Sequence, residues 1–156
     1  MKSALIIALL SASACGTDLP TNASSEPNAV QPSRTDPAPQ PAGDPVPSAS
    51  AISGEWRVAG VRGEAVDQRE GITATILPEE IHAVAGCVRW NWAFTLQAGR
   101  LTMAARPSAV PPCTRALTAT EARFEAAMSA ARFAVRRPDG SLVLAGPSGE
   151  VALFTQ

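Results

Sequence analysis

The sequence predicts an α+β, β-rich domain in which a small, strongly curved antiparallel sheet or a partly closed barrel packs against one amphipathic helix. Two observations lead to this fold class. Many short segments alternate apolar with polar residues and are separated by glycine and proline turns, as half-buried strands are. One segment, which follows Thr118, changes to the helical period.

The alternating segments predict eight strands. They cover Gly54 to Val61, Ile72 to Ile76, Ile81 to Ala85, Phe94 to Gln97, Arg100 to Met103, Ala134 to Arg137, Ser141 to Ala145 and Glu150 to Phe154. Gly99 supplies the positive φ that a two-residue turn needs between the fourth and fifth of these strands. In the first strand, Trp56 and Val58 are predicted to point inward.

The helix is predicted from its first turn. Thr118 and Glu121 stand at capping-box spacing, in which each side chain meets the backbone amide of the other residue. Mostly strong helix formers follow, and Phe124, Met128 and Ala131 lie along one apolar stripe. Glu121 and Glu125 share a different face, which is predicted to be solvated.

Residues 1–14 predict a signal peptide, with a positive start at Lys2 and an apolar run, Ala4 to Leu10, that is too short to span a bilayer. The run ends in Ser11-Ala12-Ser13-Ala14-Cys15, which resembles the bacterial lipoprotein signal, although Ala12 stands where such signals usually carry leucine. The resemblance implies a lipid (palmitate) anchor on Cys15. With Gly16 next, it also implies sorting to the outer membrane, facing the periplasm. The alternative is an ordinary leader and a soluble periplasmic protein.

Residues 15–51 are predicted to be a lipidated N-terminus followed by a disordered tether. The segment is mostly Pro, Ala, Ser, Asp and Asn, so it cannot bury enough apolar surface to fold. Its prolines favour an extended, semi-stiff chain. The folded domain is therefore predicted to span residues 52–156.

The charge balance excludes some classes of partner. Apart from Lys2, the chain carries 12 arginines against 14 acidic residues. A near-neutral domain has no broad basic face, which argues against nucleic acid and against adhesion to acidic lipid by charge alone. The predicted membrane attachment is through the N-terminal lipid.

Cys87 and Cys113 are predicted to form a structural disulfide, because two thiols in a small exported domain usually pair. A metal site would need further Cys or His ligands at suitable spacing, so no metal site is predicted. A redox pair would more typically have Cys-x-x-Cys spacing.

Other residues with chemical potential do not assemble into a catalytic set. His82 is the single histidine and stands in a strand-like run without a marked nucleophile, while Glu79 and Glu80 are neighbours that point to opposite faces of a strand. The sequence therefore predicts no enzyme and no cofactor.

Arg89, Trp90 and Trp92 form a candidate binding surface, since arginine beside indoles is common at interfaces. The alternative is that the indoles fill the core. Alternation places both indoles on one face of the strand, with Arg89 opposite.

The domain resembles the META domain, also called HslJ-like, over residues 52–156. The resemblance is carried by these segments: Gly54-x-Trp56, Ala85-Gly86-Cys87-Val88-Arg89-Trp90, Gly99-Arg100-Leu101-Thr102, Cys113, the helix from Glu121 to Phe133, and Val151-Ala152-Leu153-Phe154. The chain departs from the family's Gly-Cys-Asn-Arg-Tyr motif at Val88 and Trp90. The resemblance implies a small β-rich fold and an envelope lipoprotein without established enzymatic activity, associated with stress tolerance.

Three functions are compatible with these features. The first is a non-enzymatic envelope lipoprotein that binds an unknown protein or cell-envelope partner or supports stress tolerance. The second is a carrier of a small lipophilic ligand, because curved sheets can enclose one. The third is an exported protease inhibitor.

Overall fold

The computed structural model describes residues 40–156, which form a closed, eight-stranded antiparallel β-barrel with one α-helix. The elements are β1 (Asp44–Pro45), a 3-10 helix (Ala49–Ala51), β2 (Gly54–Val61), β3 (Glu64–Ala65), β4 (Thr73–Ile76), β5 (Glu80–Ala85), β6 (Val88–Gln97), β7 (Arg100–Arg106), α1 (Ala119–Ser129), β8 (Phe133–Arg136), β9 (Leu142–Gly146) and β10 (Gly149–Thr155). The predicted fold class, with the sheet packed on one helix, is confirmed.

The barrel closes because β8 pairs on both of its sides. The strands follow the order β8, β7, β6, β5, β4, β2, β10, β9, and β9 pairs again with β8. The junction of β7 with β8 is short, with Arg100 opposite Phe133 and the Leu101 amide donating to the Arg132 carbonyl at 2.8 Å. The two shortest strands lie off this ring, β1 beside β8 and β3 beside β2.

The domain begins earlier than the predicted boundary at Ile52. Asp44 and Pro45 pair with β8, Val46 lies in the core, and its carbonyl accepts a hydrogen bond from the Gly99 amide at 2.7 Å. Gly99 has a φ of +78°, and a Cβ there would stand 2.7 Å from the Pro45 Cβ. The turn glycine therefore serves both the hairpin and the close approach of a segment that composition alone assigned to the tether.

Inward-facing side chains fill the barrel. The ring of Phe124 from α1 meets Trp90 and Trp92 of β6 edge-on, with centroids 5.2 and 5.9 Å apart. The indole nitrogen of Trp92 donates to the Ser129 hydroxyl at 3.2 Å, and that of Trp56 donates to a backbone carbonyl. These bonds satisfy the ring N–H groups of Trp92 and Trp56, so both indoles can lie in the core without an unpaired donor.

The predicted pattern of α1 is confirmed on its apolar stripe, because Phe124 and Met128 are fully buried. The predicted inward orientation of Trp56 and Val58 is also confirmed. Neither helix among the described residues has the length and apolarity needed to cross a membrane.

Candidate functional site

A groove with a volume of about 470 Å³ lies beside the N-terminus of α1. One wall is the start of β6, and the other is the connection between β7 and α1, which has no regular secondary structure. The lining residues are Cys87, Val88, Arg89, Ser108, Val110, Pro111, Pro112, Cys113, Arg115, Ala116 and Leu117. The groove is thus built where a hairpin turn and a long loop meet.

A disulfide between Cys87 and Cys113 joins the two walls. Cys87 stands in the two-residue turn between β5 and β6, where Gly86 takes a φ of +57°. Cys113 lies in the loop, 26 residues further along the chain. The cross-link therefore holds an otherwise irregular loop against the rim of the barrel.

Arg115 and Glu121 form the second brace of this loop. The guanidinium of Arg115 donates to both carboxylate oxygens of Glu121 at 2.7 and 2.5 Å, and approaches the Ala85 carbonyl at 3.5 Å. Glu121 also accepts from the Thr118 amide at 2.8 Å, while the Thr118 hydroxyl accepts from the Glu121 amide. The predicted capping box is confirmed, and the same carboxylate fastens the loop to the helix.

The prediction that Glu121 is solvated is wrong, because only 3% of this residue is exposed. The Arg115 guanidinium lowers the pKa of the Glu121 carboxyl below its ordinary value of 4.5, and the Thr118 amide acts in the same direction against the effect of burial. A carboxylate that keeps its charge while buried needs such a partner. Glu125, one turn later, is exposed as predicted.

The candidate binding surface of Arg89, Trp90 and Trp92 divides between the two faces of β6. Both indoles are buried against Phe124, so the interpretation of Trp90 and Trp92 as a surface is corrected, and the alternative of a core role describes them. Arg89 points outward into the groove. Among residues 40–156, no carboxylate lies within ion-pair distance of Arg89.

The groove combines cations with exposed aliphatic surface. Val110 is 51% exposed and Leu117 is 38% exposed, and both belong to its wall. Its lining contains two arginines and no acidic residue, and one of these arginines, Arg115, is already paired with Glu121. This arrangement suits a ligand that presents an anionic group next to an apolar one.

His82 lies on the outer face of β5 and does not line the groove. Its Nδ1 is 2.6 Å from the Asn91 Oδ1 on β6, and its Nε2 is 3.2 Å from the Glu80 Oε2. Neither contact is to a hydroxyl or a thiol. Glu79 precedes the strand and is exposed, whereas Glu80 shares the face of His82.

The described residues contain no group of three or more His, Cys, Asp or Glu side chains arranged to hold a metal ion. Cys15, the predicted lipidation site, lies outside residues 40–156, as does most of the predicted tether.

The sequence had singled out Cys87, Cys113 and Arg89, which the structure brings together at the groove. It missed Arg115, whose position three residues before a capping box was the available signal.

A closed barrel, a helix against its interior and a disulfide beside the helix N-terminus define a small, disulfide-braced α+β barrel domain. Comparison with models of protein families matches residues 49–156 to the META domain. The chain therefore belongs to the META domain family, in agreement with the resemblance of its motifs. No curated protein and no solved structure matches the chain.

Removing the disulfide is expected to destabilise the domain. Because the bond closes a loop between residues 26 apart in sequence, the Cys87→Ser, Cys113→Ser double variant should lose about 3–4 kcal/mol of unfolding free energy by the chain-entropy estimate. Urea denaturation followed by tryptophan fluorescence measures this loss. Dithiothreitol should lower the midpoint of the wild type and leave that of the double variant unchanged; a wild type insensitive to reduction would contradict the bond's role.

Glu121 is expected to make stability depend on pH. Its pKa is lower in the folded than in the unfolded state, so its contribution is complete above the unfolded value and is lost as pH falls through the folded one. Glu121→Gln should cost about 1–2 kcal/mol at pH 7, and the difference from wild type should shrink at pH 3.

Thermal and urea unfolding at the two pH values measure the effect. The Glu125→Gln variant is the matched control, because Glu125 is exposed on the same helix. Its stability should equal that of the wild type at both pH values. If Glu121→Gln lost the same unfolding free energy at both pH values, the charge of the Glu121 carboxylate would not contribute to stability.

Proposed function

We propose that the chain is a non-enzymatic lipoprotein of the bacterial cell envelope whose META domain docks a protein partner in the groove beside the disulfide. The observation that carries the proposal is the composition of that groove. It presents Arg89, without an acidic partner among the described residues, next to the exposed aliphatic side chains of Val110 and Leu117.

The occupant that fits is an extended protein segment with an acidic side chain followed by apolar ones. The carboxylate would pair with Arg89, since a guanidinium binds it in a two-pronged geometry. The apolar part would cover Val110 and Leu117, which are otherwise exposed to water. The disulfide and the Arg115–Glu121 pair brace the loop, so little ordering entropy is lost on binding.

The packing of the barrel favours an external site over a carrier of small lipophiles. A carrier needs room along the barrel axis, but bulky side chains fill the core: Trp56 and Trp92 from the strands and Phe124 from α1. An eight-stranded barrel is just wide enough for side chains to fill it. The groove, by contrast, is open to a macromolecule.

The contacts of His82 support a non-enzymatic role. Both ring nitrogens face oxygens of Glu80 and Asn91, and neither approaches a hydroxyl or thiol that it could activate. The sulfurs at the groove are joined to each other, so they offer no thiolate nucleophile.

The anchor is proposed from the leader sequence. Lipid on Cys15 would tether the domain to the outer membrane, on its periplasmic side. The proline-rich segment that follows spans about 3 Å per residue when extended. A domain held in this way can reach partners above the membrane surface. We propose that binding of such a partner in the groove supports envelope stability under stress.

Photo-cross-linking in cells tests the groove. A photoreactive residue in place of Val110 should capture a discrete partner, whereas one in place of Leu77, which is exposed on the loop before β5, should not. Arg89→Glu should lower the yield at least about tenfold by charge repulsion, and the exposed Arg69→Glu should leave it unchanged.

Equal capture from the Val110 and Leu77 positions, or indifference to Arg89→Glu, would exclude this groove as the docking site. Identification of the captured protein as a protease would favour the exported inhibitor instead. In that case the braced loop between β7 and α1 would be the inhibitory segment.

The anchor has its own test. Intact mass spectrometry of the detergent-extracted protein should show an acylated chain that begins at Cys15, and Cys15→Ser should move the protein out of the membrane fraction. A soluble chain cut near Ala14, with no acyl mass, would establish the periplasmic alternative and leave the groove proposal intact.

A further inference from the structure

Three polar side chains meet on the outer face of the barrel, on strands β5 and β6. Glu80 and His82 are two residues apart on β5, so both point outward. Asn91 is the direct cross-strand partner of His82. The side chains of Glu80 and His82 are about half exposed, at 45% and 39%. An ion and its waters can therefore reach them.

The hydrogen bond to Asn91 sets the tautomer of the imidazole. Asn91 Oδ1 lies 2.6 Å from His82 Nδ1. An amide oxygen only accepts, so Nδ1 carries the hydrogen. In the neutral ring the other nitrogen, Nε2, then holds a lone pair. A second-shell oxygen of this kind orients metal-binding histidines in general.

The Oε2 atom of the Glu80 carboxylate lies 3.2 Å from this nitrogen. Two acceptors at this distance repel each other unless a proton or a metal cation stands between them. With metal–ligand bonds of about 2.0–2.2 Å, two ligands at the tetrahedral angle are about 3.3 Å apart. The separation of His82 Nε2 and Glu80 Oε2 is therefore close to that between two neighbouring ligand atoms of one zinc ion.

We propose that Glu80 and His82 form a surface site for a divalent transition-metal ion of the Zn²⁺ or Cu²⁺ class. His82 Nε2 and Glu80 Oε2 are the protein ligands, water completes the coordination, and Asn91 positions the ring. Imidazole with one carboxylate selects these ions over Mg²⁺ and Ca²⁺, which prefer all-oxygen sites. None of the three residues lines the groove, so the metal site does not require the proposed partner.

The single histidine makes the test direct, because one imidazole signal reports on one residue. The full-length chain, purified without a histidine tag, is titrated with ZnCl₂ and separately with MgCl₂ at pH 7. The proton resonances of His82 should shift and saturate with Zn²⁺ and stay in place with Mg²⁺. Calorimetry on the same samples gives the affinity and the stoichiometry.

Variants distinguish direct coordination of Zn²⁺ by Glu80 and His82 from general electrostatic attraction of the ion. His82→Ala should abolish Zn²⁺ binding, and Asn91→Ala should weaken it about tenfold while leaving both ligands in place. Glu80→Gln should weaken it more than Glu79→Gln, which makes the same charge change at the exposed neighbour. Urea midpoints close to that of the wild type show that the variants are folded.

A His82 signal that does not respond to Zn²⁺ would overturn the proposal and leave an ordinary contact between the imidazole and Glu80. Equal losses in Glu79→Gln and Glu80→Gln would also overturn it, because the effect would then be one of general charge. Neither result would bear on the groove.

Discussion

The structure depends on the contact of Phe124 with the indoles of Trp90 and Trp92. It holds α1 against the inward-facing side chains of the barrel and so determines where the helix N-terminus stands. Glu121, one turn before Phe124, is thereby placed to receive Arg115. An aromatic contact in the core thus positions the loop that forms the groove.

The groove and the cluster of Glu80, His82 and Asn91 show two ways in which a small barrel can position polar side chains for binding. The groove needs a long irregular loop, and the disulfide and the Arg115–Glu121 ion pair together reduce the freedom of that loop. The cluster around His82 needs no loop, because strand pairing alone brings Asn91 beside it. Sites on rigid strands are more precisely held than sites on loops, which suits coordination at a fixed distance.

Much of the fold could be predicted from local pattern. Alternation located the eight strands of the barrel, although the predicted strand from Phe94 to Gln97 covers only the second part of β6, and β1 and β3 were not predicted. The Thr118–Glu121 spacing located the helix start, and the pairing of the two cysteines was predicted. Alternation also showed that Trp90 and Trp92 share a face. It could not show that this face is the interior, because a period of two does not say which side meets the core.

The sequence by itself determined the fold class, the helix cap and the pairing of the cysteines, since each rests on residues close in sequence or on residue type. Only the tertiary structure decided the start of the domain at β1, the burial of Glu121 and the meeting of Arg89 with the loop. These features arise from contacts between segments far apart in the chain. Their energies depend on barrel closure and helix placement, which no local pattern contains.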